Sequence, residues 1–202
     1  SSVRATDGAS QLVVAEPLLK DSLARWQVGV IPVDRQGRVD LAALEVLLKG
    51  PNVLVSVMLA NNETGVVQPI ADVVALARKA GALVHVDAVQ GFGKTPVNFG
   101  LLGCDLMTVA AHKVGGPVGV GALVIRDGLV VDPLLVGGGQ ELRRRAGTEN
   151  LAAIAGFAAV AQEMSLNVKA LRAELESALE GAVIFASEAE RLPNTTCFAM
   201  PG

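Results

Sequence analysis

Short apolar runs alternate with longer amphipathic segments along most of this chain. The short runs are rich in Val, Ile and Leu, as in strands buried on both faces, and the longer segments carry apolar residues at helical spacing. The predicted strands are Gln11–Ala15, Val28–Val33, Asn52–Leu59, Leu83–Val86, Leu106–Ala111, Ala122–Ile125, Val183–Ala186 and Thr195–Met200. The predicted helices are Leu18–Trp26, Leu41–Lys49, Ile70–Ala80, Leu151–Met164 and Val168–Leu179. Such alternation indicates parallel strands joined by helical crossovers.

One connection departs from this alternation. The strands Leu106–Ala111 and Ala122–Ile125 are joined by His112–Val120, which is glycine-rich and lacks helical periodicity. It is too short for a helical crossover, so we expect an antiparallel pair. The prediction is an α/β fold with a mainly parallel sheet, helices on both faces and one antiparallel strand. At 202 residues, the chain corresponds to roughly one domain.

Composition excludes several classes of protein. Apolar residues make up 51% and charged residues 18%, which argues against a disordered chain. The formal net charge of −3 offers no nucleic-acid surface, and the longest apolar stretches fall short of a membrane span. Cys104 and Cys197 are too few for a disulfide framework or a four-cysteine zinc site. We expect a cytoplasmic protein that binds no metal, membrane or nucleic acid.

Polar residues collect where three predicted strands end. Asn62 follows the first of these strands, Asp87 and Gln90 the second, and His112 and Lys113 the third. In open α/β sheets, ligands bind at this edge. A partly buried lysine there would have a lowered pKa and could form a Schiff base, and a carboxylate could hold a protonated pyridine nitrogen. Taken alone, Lys113 also fits a solvated loop end, and Asp87 also fits a helix N-cap.

Four segments, in one order, resemble a known family. They are Val55–Ile70 (VSVMLANNETGVVQPI), His85–Gln90 (HVDAVQ), Ala111–Gly116 (AHKVGG) and Gly137–Thr148 (GGGQELRRRAGT). The chain resembles the large domain of NifS/IscS-like cysteine desulfurases, which are pyridoxal-phosphate enzymes of the class V aminotransferase group. The resemblance implies that residues 1–202 form a partial large domain of the type I pyridoxal-phosphate transferase fold. It also implies that the family's N-terminal part and C-terminal small domain lie outside these residues.

The resemblance assigns roles to individual residues. Lys113 would bond to pyridoxal phosphate and move protons at the substrate Cα. Asp87 would pair with the pyridine nitrogen, and Gln90 would hydrogen-bond the phenolic oxygen. Asn62 would lie beside the cofactor near the substrate carboxylate, and His112 would help to hold the phosphate.

The implied activity is removal of sulfur from L-cysteine, which gives alanine and an enzyme persulfide. The persulfide would serve a sulfur acceptor or scaffold protein in iron–sulfur cluster assembly. Thr148 matches a threonine that reaches the phosphate of the neighbouring subunit's cofactor, which implies a homodimer. The alternatives are a non-catalytic domain of this family and another class V enzyme, such as a selenocysteine lyase or an aminotransferase.

Several positions depart from the family pattern. Ala110 stands where the family usually has a serine or threonine that binds phosphate. Pro17 follows Glu16 where a histidine that stacks on the cofactor is expected. Neither Cys104 nor Cys197 matches the family's nucleophilic cysteine, and both are expected to be core residues.

Two rival sites are weaker. Gly93-Lys94-Thr95 is similar to the end of a phosphate-binding P-loop, but Ala88 replaces that motif's first glycine and Pro96 interrupts its helix. His85 and Asp87 lie on the same face of one predicted strand and could bind a metal ion, but no third ligand has suitable spacing. His85 also fits a hydrogen-bonded core histidine.

Overall fold

The computed structural model describes residues 2–3, 11–14, 27–50, 53–163 and 168–201. Its strands are β1 (Ser2–Val3), β2 (Gln11–Val14), β3 (Gln27–Val30), β4 (Val53–Met58), β5 (Leu83–Asp87), β6 (Leu106–Ala110), β7 (Gly121–Ile125), β8 (Val130–Val131), β9 (Val183–Ile184) and β10 (Phe198–Ala199). Its helices are α1 (Leu41–Leu47), α2 (Ile70–Lys79), α3 (Phe99–Leu102), α4 (Leu151–Glu163) and α5 (Lys169–Ala178). The predicted helix over 18–26 lies outside the described residues.

Six strands form the main sheet, in the order β3-β2-β4-β5-β6-β7. The neighbours from β3 to β6 pair in parallel. The edge strand β7 pairs antiparallel with β6, Thr108 lying opposite Leu123. The mainly parallel sheet and its single antiparallel strand are therefore confirmed.

Apolar residues pack on one face of this sheet. Val55 and Val57 of β4 are buried and lie beside Val84 and Val86 of β5. Helix α2 contributes buried residues to the same cluster, and Phe157 of α4 packs against it. Burying such a side chain contributes about 1.5–3 kcal/mol, so this face holds the strand ends in place.

Local signals explain where the helices begin and end. The Asp40 carboxylate accepts hydrogen bonds from the amides of Ala42 and Ala43, which caps α1. Helix α2 is followed by Gly81 at a φ of +71°, a conformation that glycine adopts without strain. The structure describes no helix that is both long and apolar enough to cross a membrane.

The structure differs from the prediction at some boundaries. Strand β3 ends at Val30 rather than Val33 because Pro32 cannot donate a ladder hydrogen bond. The one-turn helix α3, which Asn98 caps, and the pairing of β1 with β8 were not predicted. Each contains too few residues to show a period.

Candidate active site

Three parallel strand ends meet at one edge of the sheet. Strands β4, β5 and β6 are neighbours in parallel register, with Met58 opposite Asp87 and Asp87 opposite Thr108. The segments that follow these strands therefore leave the sheet side by side. The strand ends and these segments together carry five of the six predicted site residues, namely Asn62, Asp87, Gln90, His112 and Lys113.

Asn62 lies in a tight turn after β4. The neighbouring Asn61 fixes this turn, because its Oδ1 accepts from the amides of Glu63 and Thr64, both at 2.9 Å. Gly65 ends the turn at a φ of +74°. The Asn62 side chain is exposed and donates to Glu63 Oε1 at 2.8 Å.

Residues 190–195, which are distant in sequence, contact this turn. Val66 forms an antiparallel bridge with Arg191, and the amide of Leu192 donates to the Gly65 carbonyl at 2.7 Å. Leu192 is 1% exposed. The position of Asn62 therefore depends on packing between the sheet edge and residues 190–195.

Asp87 ends β5 and is exposed. Its Oδ1 accepts from the amide of Val89 at 2.9 Å, so the carboxylate organises the turn that follows. Turns rather than a helix follow β5, so the N-cap alternative for Asp87 does not hold. Within the described residues, Asp87 Oδ2 has no hydrogen-bond partner and can accept from a ligand.

His85 lies on the same face of β5 as Asp87. Its Nδ1 is 2.8 Å from Ser56 Oγ and its Nε2 is 3.3 Å from Thr108 Oγ1. Burial lowers the pKa of His85, opposed by the Asp87 charge, so the neutral ring is favoured. With both ring nitrogens engaged by hydroxyls, the half-buried His85 is a hydrogen-bonded structural residue. Over the described residues, no group of three His, Cys, Asp or Glu side chains could hold a metal ion.

Gln90 has a neighbour that sequence reasoning missed. Lys94 Nζ donates to Gln90 Oε1 at 2.9 Å, and both side chains are half-buried. The spacing of four residues was the available signal, but the sequence motif associates Lys94 only with a possible P-loop. The structure excludes that loop, because turns follow β5 and the next helix, α3, begins only at Phe99.

Lys113 lies in a 3₁₀ turn, 111–114, directly after β6. Ala111 is fully buried and anchors this turn, and Gly115 ends it at a φ of +84°. Both His112 and Lys113 are exposed. The partial burial expected for Lys113 is therefore wrong for the described chain, because the turn buries Ala111 and leaves His112 and Lys113 in solvent. Lys113 still lies close enough to Lys94 for its charge to lower the pKa of Lys94.

The remaining predicted positions lie around this edge. Thr148 is exposed in the loop before α4, and in the part of the chain that the structure describes, no hydrogen bond joins its hydroxyl to the other five residues. Ala110 ends β6 without a hydroxyl. Glu16 and Pro17 lie outside the described residues, so the missing stacking histidine stays a prediction.

The two cysteines are free thiols. Cys104 is 2% exposed, and burial raises its pKa to about 11, which suppresses the nucleophilic thiolate. Cys104 is therefore a core residue, as expected. Cys197 is half-buried, and its carbonyl accepts from the amide of Phe185 at 2.9 Å.

Comparison with known proteins gives consistent matches. The family model "Aminotransferase class-V" matches residues 3–197. Cysteine desulfurase 2 of Trichormus variabilis is 44% identical over 181 residues, which are 85% of this chain and 46% of that protein. Cysteine desulfurase IscS of Dictyoglomus turgidum is 38% identical over 185 residues, which are 86% of this chain and 47% of that protein.

Solved structures agree with these matches. A NifS-like protein from Rickettsia africae superimposes with a TM-score of 0.88 at 38% identity, over 96% of this chain and 58% of that one. The chain spans about half the length of the curated relatives it matches.

Proposed function

Since this chain belongs to the aminotransferase class-V family, we propose that it forms the cofactor-binding part of a pyridoxal-phosphate-dependent cysteine desulfurase. The observation that carries this proposal is the convergence of three parallel strand ends bearing Asn62, Asp87 and Lys113. The overall reaction would remove sulfur from L-cysteine and release alanine.

The donors and acceptors left open at this edge fit pyridoxal phosphate. Asp87 Oδ2, an anionic acceptor without a partner in the described chain, suits a protonated pyridine nitrogen. The Gln90 amide group, whose oxygen is already occupied, suits the phenolic oxygen. Lys113 offers an exposed amine for the covalent bond, and His112 offers a donor for phosphate. Ala110 adds no hydroxyl, so the phosphate would have one ligand fewer than is usual in the family.

In this proposal, the chain's residues divide the work of proton transfer. When bound, the pyridoxal ring withdraws electrons from the substrate Cα. Asp87 keeps a proton on the pyridine nitrogen, which maintains that withdrawal. Lys113 Nζ removes the Cα proton of the bound amino acid, and Asn62 orients its carboxylate. The thiolate that takes the sulfur would come from outside these 202 residues, because Cys104 is buried and neither cysteine matches the family's nucleophile.

Cofactor titration tests the proposal. Added pyridoxal phosphate should bind the full chain with one-to-one stoichiometry and give a visible absorption band that Lys113→Ala abolishes. Lys79→Ala, at an exposed position in the last turn of α2, is the matched control and should keep the band. A band of equal strength in Lys113→Ala would contradict the proposal.

The second candidate is a domain that binds the cofactor without catalysing desulfuration. The exposure of Lys113 and the absence of a hydroxyl at Ala110 favour it. This candidate predicts a Lys113-dependent band but no exchange of the Cα proton of L-cysteine with solvent, whereas the desulfurase proposal predicts Lys113-dependent exchange. Exchange with L-cysteine and not with L-selenocysteine would support the desulfurase over a selenocysteine lyase.

We also propose a homodimer in which Thr148 reaches the partner's phosphate site. The segment 134–142, which precedes Thr148, leaves apolar side chains in solvent: Leu134 is 96%, Val136 84% and Leu142 86% exposed. Exposed apolar residues grouped in this way mark interaction surfaces. The same proposal includes a sulfur acceptor or scaffold protein for iron–sulfur cluster assembly, and a cytoplasmic location in keeping with two free thiols.

A charged side chain introduced into segment 134–142 should separate the subunits of the proposed dimer. Leu134→Glu should convert the dimer into monomers in sedimentation velocity, because an unpaired carboxylate in an apolar interface is costly. Leu101→Glu, at an apolar residue that is 86% exposed on α3, is the control and should remain dimeric. An unaltered chain that sediments as a monomer at all concentrations would refute the dimer.

A further inference from the structure

The turn after β5 folds back so that Lys94 lies against Gln90. The amide of Lys94 donates to the Gly91 carbonyl at 3.0 Å, and Gly93 takes a φ of +75°. A Cβ at Gly91 would lie 2.4 Å from Leu59 Cδ2, so the turn packs directly on the core. The backbone therefore fixes the spacing between Lys94 and Gln90.

The hydrogen bond between Lys94 and Gln90 determines which end of the Gln90 amide faces Lys94. An ammonium group has three donors and no acceptor, so Lys94 can approach only the oxygen of the Gln90 amide. That oxygen lies 2.9 Å from Lys94 Nζ. Among the described residues, the Gln90 Nε2 group keeps no hydrogen-bond partner and is left to donate to a ligand.

We propose that Lys94 is a positioning residue that holds the Gln90 amide with its NH₂ group toward the phenolic oxygen of pyridoxal phosphate. This inference rests on the proposed function, which gives Gln90 that partner. The phenolic oxygen is an acceptor when ionised. An amide in the opposite orientation would present oxygen to oxygen, and binding would weaken.

Lys94 also brings a second positive charge to the site. Burial lowers the pKa of Lys94, and the charge of Lys113 lowers it further, so the two amines lie within electrostatic reach of each other. A cation beside Gln90 favours the ionised form of a phenol. The pH at which the bound cofactor changes colour should therefore depend on residue 94.

The substitution Lys94→Met removes the donor and the charge but keeps an unbranched apolar side chain. In the full chain, we expect the dissociation constant for pyridoxal phosphate to rise about tenfold, the typical effect of losing a hydrogen bond to a charged group. The midpoint of the spectral pH titration should also move upward. Lys94→Arg should retain most of the cofactor affinity and a nearly unchanged titration midpoint. Lys49→Met, at an exposed lysine beyond α1, should change neither the affinity nor the midpoint.

The substitution Gln90→Leu tests whether Lys94 affects cofactor binding through the Gln90 amide. In that background, Lys94→Met should weaken cofactor binding by less than about twofold, because coupled residues give non-additive effects. In the cofactor-free chain, Lys94→Met should shift the NMR signals of the Gln90 side-chain amide, whereas Lys49→Met should not.

Different results would refute the two proposals. Unchanged affinity and titration midpoint in Lys94→Met, unchanged Gln90 amide signals, or an equally large affinity loss in the Gln90→Leu background would overturn the role of Lys94. A cofactor spectrum that does not depend on Lys113 would instead overturn the proposed function, and the positioning role with it.

Discussion

Replacing Asp87 with alanine should slow exchange of the Cα proton of L-cysteine with solvent by about 100- to 1,000-fold, the typical effect of removing one preorganised electrostatic group from an active site. In the proposed mechanism, Asp87 keeps the proton on the pyridine nitrogen. Without the carboxylate, electron withdrawal from the substrate Cα weakens, so removal of the Cα proton by Lys113 slows. Loss of the Cα proton signal of L-cysteine in deuterated water, with the cofactor-loaded protein, measures the effect.

The fold should survive this substitution. Asp87 is exposed, and the one hydrogen bond of its side chain in the described structure is accepted from the amide of Val89. The free energy of unfolding should therefore fall by only about 1 kcal/mol. Glu45→Ala, at an exposed carboxylate of α1, is the matched control for both measurements. Near-normal exchange of the Cα proton in Asp87→Ala would rule out the role assigned to this carboxylate.

Replacing Glu176 with alanine should lower the free energy of unfolding by about 3 kcal/mol. Both carboxylate oxygens bind the Arg191 guanidinium, at 2.7 and 3.0 Å. The Arg191 side chain is 5% exposed, so removing Glu176 leaves a buried cation without its anion. Urea denaturation measures the loss. Glu174→Ala, two positions away on the exposed side of α5, should cost less than about 0.5 kcal/mol, and equal losses in the two variants would contradict the prediction.

The same ion pair predicts a pH dependence. Hydrogen bonds from Arg191 hold the pKa of Glu176 below its ordinary value. A carboxyl with a lowered pKa in the folded state stabilises the protein above its unfolded pKa, and this contribution disappears as the pH falls through the folded pKa. The stability difference between the unaltered chain and Glu176→Ala should therefore be full at neutral pH and shrink in acid.

The sequence predicts the sheet well because its signals are local. Val53–Met58 is a nearly continuous apolar run, which is typical of a buried parallel strand. Leu83–Asp87 places Val84 and Val86 on its buried face. The connection His112–Val120 is too short for a crossover, which correctly indicates an antiparallel pair. In contrast, β1 pairs with β8 across more than a hundred residues, and strands of two residues show no periodicity.

The same difference between local signals and long-range packing applies to the site. That Asp87 and Asn62 lie at one edge follows from parallel pairing and from where each strand ends. The exposure of Lys113 could not be predicted, because burial depends on what packs over a turn. The contact between Lys94 and Gln90 depends on the backbone path through Gly93, which no apolar pattern encodes.

The antiparallel pair β6–β7 also affects the order in which the site forms. The turn that carries Lys113 closes a hairpin of strands adjacent in sequence, and such local contacts form quickly. Asp87 and Asn62 come together only when parallel strands pair across the longer separations between β4, β5 and β6. During refolding, Lys113 should therefore reach its native position before Asp87 does. Binding of pyridoxal phosphate should then occur later than hairpin formation and at the same rate as completion of the parallel sheet.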